Sequence, residues 1–196
     1  MRTATGGWVD YFINIFMQPN INRTLRFRLH EFYNSQGYYS AAIQGARRHD
    51  GSWFVSRPTE HFLTDFPSPE DFYHLDRFYT VDLQAWPSHH SGFNGQIWLL
   101  VGSHNFSGAE QIAAFVRYTS FATLVGEPTG GLAGGWGGAY LPLPNTGLII
   151  RFDFTLATNY LGQNFDEFST QPYYFNFRGM DALETTLTII ENRRSQ

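Results

Sequence analysis

IWLLVGSHNFSGAEQIAAFVRYTSFATLVGEPTGG, residues 97–131, holds an apolar strand, a tight turn, a helix and a second apolar strand in one stretch. Residues 97–101 are continuously apolar and of strand length, as in a strand buried on both faces. Residues 107–118 carry Ile112, Phe115 and Val116 at helical spacing. Residues 121–125 read as the second strand, and glycines then recur from Gly126 to Gly138. A helix between two strands, with glycine-rich backbone at the strand exits, is how α/β folds build sites.

This order puts Ser107 at the start of the helix. Unpaired backbone N–H groups and the positive end of the helix dipole stabilise negative charge there, whether on an alkoxide or on the oxyanion of a tetrahedral intermediate. Gly108 follows at once, so a backbone amide lies beside the reacting atom. The same residues also spell S-x-x-E. Read that way, Ser107 and Glu110 form a capping box, in which both side chains satisfy backbone donors and perform no chemistry.

The block SGAE at 107–110, VGEPTGG at 125–131, LPLPNTGLIIRF at 141–152 and the late QPYYF and MDALETTLTII resemble the C-terminal processing (tail-specific) serine peptidases. The match is closest to their tricorn-core and retinoid-binding-protein-like branch. The resemblance implies that Ser107 is the nucleophile and that the Gly108 amide forms half of the oxyanion hole. At the start of the chain, RTATGGW resembles the end of the family's D-x-R-x-N-x-G-G motif, which assigns the other half of the hole to Gly6 and Gly7. Ala4 stands where that motif has asparagine, and the aspartate before Arg2 is absent because the sequence starts at Met1.

A serine hydroxyl needs a base to take its proton. One branch of the family supplies a lysine at the position of Leu132, but all 13 Lys+Arg residues here are arginine, so a Ser/Lys dyad is excluded. A Walker-type phosphate loop fails for the same reason. In the tricorn-like branch the base is a histidine that precedes the D-x-R-x-N-x-G-G motif. The expectation is therefore a truncated domain that holds the nucleophile and the oxyanion hole but lacks its base. Oxyanion stabilisation and binding alone leave a serine protease roughly 10³ to 10⁴ above water.

Of the seven histidines, His104 lies three residues before Ser107 and is the one internal candidate for a base. His89 and His90 invite a metal reading, but adjacent residues of an extended segment face opposite ways and no further ligand lies at a suitable spacing. No metal or cofactor is expected. His30, His49, His61 and His74 read as surface residues. The resemblance also implies an orienting carboxylate shortly before Pro172, for which Asp166 and Glu167 are the candidates.

At 196 residues the chain is long enough for one domain with a real core, and its 18% aromatic content supplies large buried areas. A net charge of −4 gives no basic footprint for nucleic acid, and no run of eighteen apolar residues is present to span a membrane. The partner expected is a polypeptide substrate. Cysteine is absent, which removes disulfides, thiol catalysis and cysteine-ligated zinc. The family resemblance suggests a periplasmic or extracytoplasmic bacterial location.

Along the chain, residues 8–17 read as a helix ended by Pro19, and residues 24–32 alternate as a half-buried strand. Residues 34–95 lose periodicity among Gly, Pro, Ser and aromatics, with Pro58, Pro67, Pro69 and Pro87 breaking any long element; they read as an insertion. Residues 139–143 and 148–158 flank a Pro-Asn-Thr-Gly turn as a hairpin. Residues 180–190 read as a closing helix with Leu183, Leu187 and Ile190 on its stripe. The whole is expected to be a single α/β domain, residues 1–196, of the ClpP/crotonase-like peptidase type with an additional β-hairpin and an insertion at about 34–95. The expected function is serine peptidase chemistry through an acyl-enzyme. The alternative is a non-catalytic binding module of the same fold for apolar small molecules or peptides.

Overall fold

The computed structural model describes residues 12–37, 57–59, 72–88, 92–131, 139–153, 155–159 and 162–195, with mixed helix and sheet in two compact units. The unit that carries Ser107 comprises residues 5–27, 83–133 and 166–196. Its centre is a parallel three-stranded sheet in the order β4-β5-β9, from β4 (Trp98–Val101), β5 (Thr123–Gly126) and β9 (Tyr174–Phe175). Parallel strands cannot be joined by a tight turn, and the crossover from β4 to β5 is helix α1 (Gly108–Thr119).

The expected apolar spacing of α1 is what packs it. Ala113 and Val116 are buried with Val101, Ala122 and Leu124, and Ile97, Leu99 and Ile112 close over them. Phe115 meets Phe27 edge-on, and Tyr118 stacks on Phe27 with ring centroids 5.2 Å apart. Of the helix expected at residues 8–17, residues 8–11 lie outside the described residues and Phe12–Met17 form a wide π-type turn; a tight 3-10 turn at Gln18–Asn20 follows, with Pro19 near its start.

Helix α2 (Ala182–Arg194) packs on β4 and β5, but through a different face from the one expected. Thr185, Thr186 and Ile189 are buried, whereas Leu183 and Leu187 are about half exposed, at 53% and 51%. The correction has a local reason. Thr185 is drawn inward because its hydroxyl accepts from the Phe177 amide, and the Thr186 hydroxyl bonds back to the Ala182 carbonyl, so small polar residues line the packed side. The helix begins with a true capping box: Asp181 accepts from the Glu184 amide and Glu184 from the Asp181 amide.

The other unit, residues 1–4, 28–82 and 134–165, holds most of a four-stranded sheet in the order β2-β3-β1-β8. These strands are β1 (Leu25–Tyr33), β2 (Arg57–Pro58), β3 (Arg77–Ala85) and β8 (Leu156–Asn159). β1 and β8 pair antiparallel, with Leu29 opposite Asn159 and Phe32 opposite Leu156. The expected alternation of β1 holds from Leu25 to Leu29, which is itself the first of five consecutive buried residues ending at Tyr33. His30 is among them, only 8% exposed, which corrects its reading as a surface residue; its Nδ1 lies 3.1 Å from the Thr80 hydroxyl. Glu31 is buried beside it and accepts from the hydroxyls of Tyr79 and Thr155. Burial and the Glu31 carboxylate together push the Tyr79 pKa up.

The nine-residue strand β3 lies inside the stretch read as lacking long elements, where flanking prolines masked its own alternation. Residues 148–158, expected as one strand, form two. β7 (Ile149–Phe152) pairs antiparallel with β6 (Ala139–Pro142), while β8 belongs to the four-stranded sheet.

Candidate active site

β4 ends at Val101, and the backbone then turns sharply through residues 102–106 before α1 begins. The turn is held by Asn105, whose amide donates to the Gly102 carbonyl at 2.9 Å and whose Oδ1 accepts from the Gly102 amide at 2.7 Å. The segment leaving β5 lies alongside. Gly130 donates to the Asn105 carbonyl at 2.7 Å, the Ser107 amide donates to the Gly131 carbonyl at 3.2 Å, and Phe106 and Gly131 form a parallel bridge. A Cβ at Gly130 would lie 2.6 Å from the Ser103 carbonyl oxygen, so glycine is what lets the two backbones approach.

Ser107 occupies φ 58°, ψ −123°, one of two described non-glycine residues with positive φ. Such a conformation costs an L-residue about 1–3 kcal/mol and persists only where the surroundings over-determine it. A serine on a strained strand-to-helix turn is how α/β hydrolases lift the hydroxyl above the sheet. Ser107 is exposed, and its side chain makes no capping hydrogen bond. The capping-box reading of Ser107 and Glu110 is thereby overturned. Glu110 is fully buried at 0% exposure and turns instead to Thr170, which donates to Oε1 from both its amide at 3.0 Å and its hydroxyl at 2.6 Å.

Gly108 is half-buried and first in the helix, where no intrahelical acceptor serves its amide. His104 is exposed in the preceding turn, with no hydrogen bond to Ser107 among the described residues. Asp166 and Glu167 are exposed, four and three residues before Thr170. Thr170 is also tied to Thr129, whose amide donates to the Thr170 carbonyl at 3.1 Å and whose hydroxyl accepts from the Thr170 amide at 2.8 Å. Gly6, Gly7, His49, His61, His89, His90 and Leu132 lie outside the described residues. Among the described residues no cluster of three potential metal ligands occurs, and no helix is long and apolar enough to cross a membrane. The sequence carried no signal for the Glu110–Thr170–Thr129 network, because its members are far apart in the chain and Glu110 already had a local explanation.

The fold is thus that of an α/β protein with an uncapped serine raised at a strand-to-helix junction of a parallel sheet. Residues 1–172 match peptidase family S41, and the chain belongs to that family. Among curated proteins, none matches the chain by sequence. Among solved structures it is similar to a candidate peptidase from Parabacteroides merdae, with TM-score 0.59 and 16% identity, covering 95% of this chain and 49% of that one. It is also similar to mature CPAF complexed with lactacystin, with TM-score 0.54 and 16% identity, covering 87% of this chain and 37% of that one. A mutant of CPAF gives TM-score 0.53, again at 16% identity, with 87% and 36% covered. At such identity the likeness is one of fold, and the chain spans about half or less of the length of these structures.

Proposed function

We propose that this chain carries the nucleophile side of a serine peptidase site on a ClpP/crotonase-like core, to which β6 and β7 add a hairpin. The observation that carries the reading is Ser107 itself: exposed, uncapped and strained at the exit of a parallel strand. Its Oγ attacks the scissile carbonyl of a polypeptide and gives its proton to a base, forming the tetrahedral intermediate. The C–N bond then breaks, the amine leaves with that proton, and water later releases the acyl group from Oγ. The Gly108 amide, with Gly6 or Gly7, holds the oxyanion, and Asp166 or Glu167 orients the proton acceptor.

In this reading, as the family resemblance implies, the proton acceptor comes from a segment outside the described residues, with His104 in the preceding turn as the internal alternative. Fluorophosphonate labelling tests the reading. Labelling should be slow, be lost in Ser107→Ala and accelerate when imidazole is added as an external base. A chain that resists the probe with and without imidazole, yet takes up an apolar small molecule, would instead be the non-catalytic binding module.

A further inference from the structure

The two acidic residues that open helices in the Ser107 unit offer an internal comparison. Glu184 sits at the third position of α2, is exposed, and reaches back to the Asp181 amide in a capping box. Glu110 sits at the equivalent position of α1, follows Ser107 by the same interval, and does the opposite. It is fully buried and leaves the turn before it uncapped. Favouring the helix dipole does not require this, because an exposed carboxylate in the first turn does the same without desolvation. Burying a carboxylate is costly, and its Oε2 has no hydrogen-bond partner among the described residues. An apolar side chain of similar size would avoid that desolvation, but it would leave the buried Thr170 hydroxyl without its acceptor.

What the carboxylate gains is a connection. Oε1 takes both donors of Thr170, and Thr170 is bonded in turn to Thr129. Thr129 is two residues before Gly131, whose carbonyl receives the Ser107 amide. On its other side Thr170 ends the segment that begins with Asp166 and Glu167. Glu110 therefore joins the first turn of α1 to the backbone that holds Ser107 and to the acidic segment.

We propose that Glu110 is a positioning residue, which through Thr170 holds the strained Ser107 turn and the Asp166–Glu167 segment in fixed register. This rests on the peptidase reading of Ser107. Glu110 touches no substrate; it acts by fixing the groups that do. A misplacement of about 1 Å at a reacting group can cost about a hundredfold in rate.

The test is saturation kinetics of fluorophosphonate labelling at Ser107 in Glu110→Met and Glu110→Gln, beside thermal unfolding. Glu110→Met should fold with a modestly lower melting temperature, because the Thr170 hydroxyl loses its acceptor, while the limiting labelling rate falls about tenfold to a hundredfold, with the half-saturating probe concentration little changed. Glu110→Gln keeps an acceptor for Thr170 and should recover to within about threefold of the wild type. A folded Glu110→Met that labels at the wild-type rate overturns the proposal. If that variant does not fold, Thr170→Val removes the shorter of the two bonds, and an unchanged rate there overturns it equally. Wild-type chain that never labels, with or without imidazole, counts against the peptidase reading instead. The register is then read by hydrogen exchange: Glu110→Met should speed exchange in both 105–108 and 166–170, and unaltered exchange in either refutes the coupling.

Discussion

The carbonyl oxygen of Val101 occupies the space where a side chain at Gly126 would begin: a Cβ there would lie 1.8 Å from it. Gly126 also has φ +140°, a backbone conformation that L side chains rarely adopt. It ends β5 directly opposite Val101 in the parallel pairing, where the Glu127 amide donates to the Val101 carbonyl at 3.1 Å. Gly126→Ala should therefore part the two strand ends and cost about 3 kcal/mol. Because the Ser107 turn follows from β4, the labelling rate should fall with it. Urea unfolding of the variant checks the first claim, and a midpoint within error of the wild type would refute it.

The conformation of Ser107 makes a prediction in which stability and chemistry part. Ser107→Gly removes the hydroxyl and also the cost of a positive φ at a residue with a side chain. Relief of strain outweighs the added freedom of glycine in the unfolded chain, so a gain of about 1 kcal/mol is expected. Ser107→Ala keeps the Cβ and so keeps the strain, and should leave stability within about 0.5 kcal/mol of the wild type. Under the peptidase reading, both variants should abolish labelling. Equal melting temperatures for the two would show that the turn is not strained at this residue.

How much of this was legible in the sequence depended on whether the governing contacts were local. The β4–α1–β5 unit was readable because continuous apolar runs and helical spacing are determined within a few residues. The position of Ser107 followed from the same pattern. The fate of Glu110 did not, because a capping box is a local device and Thr170 lies 60 residues away. Helix α2 shows the same limit. Its leucine stripe was visible, but hydroxyl bonds from Thr185 and Thr186 selected another face for burial. In β3, alternation was present but lay between prolines that read more strongly as breakers.

His30 gives the pH dependence. Desolvation by burial, and after it the positive charges of Arg28 and Arg57, hold its imidazole down from 6.5 to about 4 in the folded chain. Between these values the unfolded chain binds a proton at His30 that the folded chain does not. Stability must then fall as pH drops from about 6.5 toward 4 and be insensitive to this residue above that window. The loss is about 3 kcal/mol at most, since one pKa unit is about 1.4 kcal/mol. His30→Asn keeps a polar atom near the Thr80 hydroxyl without a group that titrates in this range. Urea midpoints of the wild type should decline from pH 7 to pH 4.5 more steeply than those of His30→Asn. Parallel declines in the two proteins would assign the acid sensitivity to the carboxylates and remove His30 from it.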